Sequence, residues 1–357
     1  VSPMHVAIDA TPLINTSGGL VRYVRELALA LAAEFPDDKI ILMSDQPFRV
    51  PEGAPRNLRA VVGGSGFLER RWWLCGAQKA ILRVGANVFH GTNFVVPWLP
   101  LKPCVLTLHD LAPWRAESSG ETSAFVHRRT PLQIGLGLAA RIIVPTEAVR
   151  REAIERFGVH PSRIHAVPHA ACSKFRPTAP WPHPKPYFFY VGDIVGRKNL
   201  MLVAEAFCEI RNRCDVDLLL AGPARFPKSL TQRPGVLELG EVADEQLAQL
   251  YTGAAACLHP SRYEGFGLPV LEAMQCGALV IAAGCPAVRE VAGDGALLLE
   301  ADNPKAWLNA MQQALDGAEY LKQVRQRALK RAAQYSWSKT ARLTRQVYQK
   351  AYAGFWN

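Results

Sequence analysis

Short apolar runs bounded by glycine, proline or polar turns recur along this chain. Between them lie stretches in which apolar positions return every three or four residues. HVAIDAT, near the start, reads as a strand. LVRYVRELALALAAEF then puts Leu20, Val24, Leu27, Ala28 and Leu31 on one helical stripe. KIILMS and LRAVVGG read as strands and FLERRWWLCGAQKAILRV as a helix. ANVFHG, CVLTLHD and RIIVPT are further strands, TEAVRREAIERFG is a helix capped by Thr146, and RIHAVPHA closes this half. Strands alternating with helices imply a parallel sheet covered on both faces.

FRPTAPWPHPKPY holds five prolines in thirteen residues and reads as a linker. The pattern then restarts. YFFYVG, VDLLLAG, VLELG, ACLHPS, ALVIAA and ALLLE are strands with helices between them, NLMLVAEAFCEIRNR the first. The expected fold is therefore α/β, two Rossmann-like doubly wound domains. Residues 1–175 form the first, 176–186 the linker and 187–337 the second. Ligands in such sheets bind beyond the carboxyl ends of the strands, and a cleft between two facing domains is the default site.

Composition narrows the class. With 357 residues, 49% hydrophobic and 20% charged, the chain suits a two-domain globular protein. No apolar run is long enough to span a bilayer. The first twenty residues carry Asp9 and polar turns where a signal peptide would be apolar. Eight cysteines without a C-x-x-C or zinc spacing read as reduced thiols, so a cytoplasmic location is expected. The net charge of +10 divides as +7 over residues 1–180, −5 over 181–318 and +8 over 319–357. The basic tail reads as a helix. It suits an anionic membrane surface or nucleic acid, or is a solvated face, and no nucleic-acid motif accompanies it.

The richest stretch is SRYEGFGLPVLEAMQCG, Ser261 to Gly277. Gly265 and Gly267 let backbone approach a ligand, Pro269 suits a first helical turn and Gly277 a helix end. Glu264 then falls on a loop and Glu272 inside the following helix. Loop amides, a helix N-terminus and carboxylates that accept from hydroxyls suit a sugar nucleotide. The alternative is an ordinary strand–turn–helix with Glu264 solvated and Glu272 serving the helix dipole. Gly192-Asp193-Ile194-Val195-Gly196-Arg197-Lys198-Asn199 follows a strand, with Asn199 as the expected N-cap. Cations before a helix N-terminus oppose its dipole, and an anionic ligand explains Arg197 and Lys198 better than structure does. Thr16-Ser17-Gly18-Gly19 either cradles a diphosphate or is a tight turn. His109 closes a strand, where it can hydrogen-bond a sugar, move a proton, or be a satisfied core histidine. Asp215-Val216-Asp217 resembles a metal-binding D-x-D but enters a buried strand, so no metal role is expected. Arg70-Arg71-Trp72-Trp73 is either a membrane contact or a helix with tryptophan in the core.

Together TSGG, HD, GRKN, E-G-F-G-L-P-x-x-E and CPAVREVAGDGALLLEADNP resemble glycosyltransferase family 4 of the GT-B fold, over essentially the whole chain. The resemblance implies two domains facing across a cleft, with helix 338–357 packing back on the first. It implies retaining transfer from a nucleotide-sugar donor without a metal or other cofactor. In that reading Glu272 holds ribose hydroxyls, and Lys198 with Arg197 neutralises the diphosphate. Gly265, Phe266, Gly267 and Leu268 meet the donor through their backbone, and Glu264 contacts the transferred sugar. Gly18 and Gly19 close on the diphosphate and His109 contacts the sugar. Relatives often place a basic residue after the glycine matching Gly192, where this chain has Asp193. A hexosyltransferase acting on a glycan or polyprenyl-diphosphate-linked acceptor is expected, mannose on GDP being the guess. It would be cytoplasmic, peripheral on an anionic membrane, and without nucleic acid. Alternatives are a sucrose- or glycogen-type synthase and a degenerate partner subunit.

Overall fold

A computed structural model describes residues 2–15, 17–64, 66, 69–115, 124–223 and 225–355. The chain divides into two compact units. The first holds the residues up to Arg115, those to His169, and Ser336 onward; the second runs from Ala170 to Tyr335.

The first unit carries seven parallel strands: β1 (His5–Asp9), β2 (Lys39–Ser44), β3 (Leu58–Val62), β4 (Val88–Gly91), β5 (Cys104–Thr107), β6 (Arg141–Val144) and β7 (Ile164–Ala166). Their order is β3-β2-β1-β4-β5-β6-β7, so the connection reverses direction between β1 and β4. The helices are α1 (Gly19–Glu34), α2 (Ala77–Arg83), α3 (Ala124–Gly135) and α4 (Glu147–Phe157). Thr146 caps α4 through its side chain and Gly158 ends it in the left-handed region. Trp72–Gly76 forms a π turn ahead of α2, with Trp72 buried, so the tryptophan pair reads mainly as core.

In the second unit the strands are β8 (Tyr187–Val191), β9 (Asp217–Ala221), β10 (Val236–Gly240), β11 (Ala256–His259), β12 (Val280–Ala283) and β13 (Leu297–Leu299), again all parallel. Their order, β10-β9-β8-β11-β12-β13, reverses between β8 and β11. The helices α5 (Leu200–Arg211), α6 (Lys228–Thr231), α7 (Asp244–Gly253), α8 (Leu268–Gln275), α9 (Pro286–Ala292), α10 (Pro304–Asp316) and α11 (Tyr320–Ala332) surround it.

Three expectations change. The chain enters the second unit at Ala170, ahead of the proline-rich segment, because Ala171, Cys172 and Phe175 pack into that unit's core. The basic tail is two helices in different units, α11 and α12 (Trp337–Ala353). In α12 Trp337, Tyr348 and Ala351 are buried, and Arg345 grips Asp38 at 2.6 Å. Asn199 does not cap α5: it sits at φ 52°, and its side-chain amide donates to the Ala301 carbonyl at 2.9 Å.

Candidate functional site

Two strands flank the reversal point of the second sheet, and their carboxyl ends carry the cations and the carboxylate. After β8 comes Gly192, then a 3-10 turn over Gly196–Lys198 that presents Arg197 and Lys198. After β11 comes the loop with Glu264. The Arg262 amide donates to the Arg197 carbonyl at 2.8 Å and ties the loops together. Sequence separation of 66 residues thus closes to 2.6 Å between Lys198 Nζ and Glu264 Oε1. Arg197 stands 3.7 Å from Glu264 Oε2 and also donates to the Tyr263 carbonyl.

Glu264 is 9% exposed, so the solvated alternative fails. Burial pushes its carboxyl up, but Lys198, His259 and Arg197 together pull it well below the usual range. It is an anion in a cationic nest.

The loop's other end enters α8. Gly267 caps it at φ 88°, a backbone conformation that glycine adopts without strain. Pro269 brings no N–H and the Val270 amide donates to the Gly267 carbonyl at 3.0 Å, so the Leu268 amide is the helix-start donor that suits a phosphate oxygen. The Phe266 ring is buried and packs edge-on against Tyr335. Leu268 opens the helix and Glu272 lies inside it, 1% exposed, accepting from Tyr251 at 3.1 Å. Asp215 pairs with Lys185 and Arg211, and Asp217 with His183.

The sequence reading missed His259, although the rule that picked out His109, a histidine at the end of a central strand, applies equally. His259 Nε2 lies 3.1 Å from Glu264 Oε1, in ion-pair range. Ser261 Oγ is buried with no hydrogen-bond partner among the described residues. An orphaned hydroxyl costs about 1–3 kcal/mol, a cost that a ligand oxygen removes.

Gly18, Gly19 and His109 lie in the first unit. Gly18 takes φ 111° as the residue before α1 and Gly19 begins the helix; Thr16 lies outside the described residues. His109 Nε2 is 2.7 Å from the Thr92 carbonyl oxygen. A carbonyl only accepts, so Nε2 carries the proton and Nδ1 is left as an acceptor. Burial lowers the pKa to about 4, which keeps the ring neutral near pH 7 and makes it a poor base. It suits a hydrogen bond from a hydroxyl better than proton abstraction. Tyr23 packs edge-on to it at 4.7 Å. Beneath it Thr107 joins Tyr23 at 3.1 Å and His90 at 2.7 Å, and His90 reaches Tyr348 of α12 at 2.7 Å. Asp9, 1% exposed, accepts from Thr11 and Thr92 at the end of β1.

Similarity to known proteins covers both units. The family model for glycosyltransferase family 4 matches residues 17–171, and that for glycosyl transferases group 1 matches 173–331. The chain is 28% identical to the O-antigen chain mannosyltransferase B of Escherichia coli, over 97% of this chain and all of that one. It is 28% identical to the D-inositol 3-phosphate glycosyltransferase of Kineococcus radiotolerans, over 98% of this chain and 94% of the other. Among solved structures, sucrose-phosphate synthase from Thermosynechococcus elongatus superposes with a TM-score of 0.80 at 20% identity, covering 98% and 99% of the two chains. The doubly wound architecture is thus the GT-B fold, and the chain belongs to the glycosyltransferases of group 1, family 4.

Proposed function

We propose that this chain moves a hexosyl residue, mannose or a related sugar on GDP, to a glycan or polyprenyl-diphosphate-linked oligosaccharide in cell-surface polysaccharide synthesis. Transfer retains the anomeric configuration, needs no metal ion, and takes place at the cytoplasmic face of a membrane. The observation that carries the reading is the cluster of Lys198, Arg197 and His259 around Glu264, where β8 and β11 diverge.

As the sugar–phosphate bond breaks, negative charge grows on the departing diphosphate. Lys198, Arg197 and the Leu268 amide stabilise it in place. The anomeric carbon becomes oxocarbenium-like. The acceptor oxygen bonds to that carbon on the face the diphosphate leaves, and a phosphate oxygen takes the acceptor's proton. Glu264 holds Lys198 toward the phosphate and meets sugar hydroxyls. Glu272, set by Tyr251, takes the ribose, and neutral His109 accepts from a sugar hydroxyl. Gly18, Gly19 and Gly192 contribute backbone. Likeness to the O-antigen chain mannosyltransferase supports the sugar and the glycan. A second reading, a small phosphorylated polyol as acceptor, is favoured by equal identity to the inositol 3-phosphate enzyme.

The test is thermal shift with GDP, UDP, ADP, dTDP and their sugar conjugates on the wild type, Lys198→Ala and Glu272→Ala. A rise with one base, lost in both variants, supports the reading and names the donor. No shift with any nucleotide overturns it.

A further inference from the structure

Six leucines on the first unit are 41–60% exposed: Leu74, Leu82, Leu99, Leu101, Leu132 and Leu136. They are far apart in sequence but belong to adjoining elements. The Trp98 amide donates to the Trp73 carbonyl at 2.9 Å, which sets the 98–101 turn against the π turn bearing Leu74. Gln133 of α3 donates to the Val96 carbonyl and accepts from the Val96 amide, and Thr130 donates to the Phe94 carbonyl, so α3 lies beside the same crossover. The β3–β4, β4–β5 and β5–β6 connections all advance in one direction across the sheet, so right-handed crossovers place them on one face. Their far ends, with Leu82, Leu99, Leu101 and Leu136, share the amino edge of the strands.

Both helices repeat one surface pattern. Lys79, Leu82 and Arg83 follow one another on the exposed side of α2, and Arg128, Leu132 and Leu136 on that of α3. Arg70 and Arg71 are exposed just ahead of the π turn. Across residues 69–83, 92–103 and 124–137, Glu69 is the one acidic residue, and it pairs with Lys79 at 2.7 Å, so the excess positive charge rests on the arginines, Arg83 and Arg128 among them. Apolar side chains among cations of a single sign match an anionic lipid surface, whose acyl boundary takes the leucines and whose headgroups take the cations. A second copy of the chain fits worse, since a two-fold contact would press the cationic rims together. The basic tail is not the docking element: Arg342 and Arg345 are engaged with Glu34 and Asp38, and the apolar side of α12 is buried.

We propose that this leucine- and arginine-bearing face, formed by α2, the 92–103 crossover and α3, docks the protein on an anionic membrane. It bears on the lipid-linked acceptor reading but is read without donor or acceptor, so either can fail alone.

The experiment is co-sedimentation of the full chain at low salt with vesicles of phosphatidylglycerol and phosphatidylcholine in equal parts, and of phosphatidylcholine alone. The wild type binds the anionic vesicles and is released as salt rises. Leu99→Ser/Leu101→Ser/Leu136→Ser and Arg71→Gln/Arg83→Gln/Arg128→Gln each lose about tenfold or more with the thermal midpoint kept. Lys339→Gln/Lys350→Gln binds like the wild type. No binding by the wild type, full binding by the leucine variant, or loss in the tail variant overturns the proposal. So does a wild-type dimer that the leucine variant turns into monomer.

Discussion

Lys198 and Glu264 form one ion pair, yet removing either partner should do opposite things to stability and to transfer. In Lys198→Ala the carboxylate keeps His259 at 3.1 Å and Arg197 at 3.7 Å, so its charge stays compensated. The cost should be near that of one charged hydrogen bond, about 1.5–3 kcal/mol. Glu264→Gln instead leaves Lys198 and Arg197, with side chains 12% and 16% exposed, facing a neutral amide. Two buried cations without a counter-charge belong at about 3–5 kcal/mol. At about 2–4 °C per kcal/mol for a unit of this size, the midpoints separate by several degrees. Transfer should rank the other way. Lys198→Ala loses a cation that stabilises the leaving group, about 10²–10³ in kcat. Glu264→Gln frees cations for phosphate, so it keeps measurable transfer and gains the larger thermal shift from added nucleoside diphosphate. No sugar should appear on it by intact mass after incubation with donor. Melting curves with and without the diphosphate, and initial rates on the same preparations, decide the matter. If Lys198→Ala is the worse variant in both assays, or a covalent sugar accumulates, the cluster is not a leaving-group site of this kind.

Acid should unfold the first unit early. Burial holds His90 at about 3, His109 at about 4 and His169 well below its usual value, all neutral when folded. The unfolded chain protonates them below about pH 6.5, so each contributes stability that is lost as pH falls below that point, about 1.4 kcal/mol per unit down to its folded value. Asp9, raised by burial, offsets part of this as pH falls from its folded value to about 4, where only the folded chain takes up the proton. Urea midpoints should drop steeply from pH 7 to 5, and a flat profile would refute the account. Tyr251→Phe should cost about 1 kcal/mol and weaken nucleotide binding by releasing Glu272; unchanged affinity would show that Glu272 needs no orientation. Arg345→Ala should cost about 3–5 kcal/mol by stranding Asp38, which is 2% exposed, and a midpoint within a degree of wild type would contradict that.

Both sheets were legible because their strands are covered on two faces and read as continuous apolar runs. The E-G-F-G-L-P stretch was legible because glycine and proline have local meaning. What escaped depended on distance. Nothing near Lys198 in sequence announces Glu264, and nothing near His90 announces Tyr348, 258 positions away. Asn199 looked like a cap because asparagine prefers that role, but the Ala301 carbonyl outbids the helix amides for its side chain. The tail looked continuous because Gln334, Tyr335 and Ser336 interrupt it without glycine or proline, and Ser336 caps a new helix.

The return of α12 to the first unit has a consequence for biosynthesis. The first sheet is complete once β7 is made, but Trp337, Arg345 and Tyr348 are still to come. All of Ala170–Tyr335 must be translated first, which at about 5–20 residues per second takes roughly 8–30 s. Throughout that interval the nascent first unit carries an uncovered apolar groove where α12 will lie, with His90 still without Tyr348 and Asp38 without Arg345. The second unit's core runs without interruption from Ala170 to Tyr335 and has no such wait. A ribosome-bound chain is therefore expected to finish its later-made unit first, and holdase chaperones should favour the earlier one.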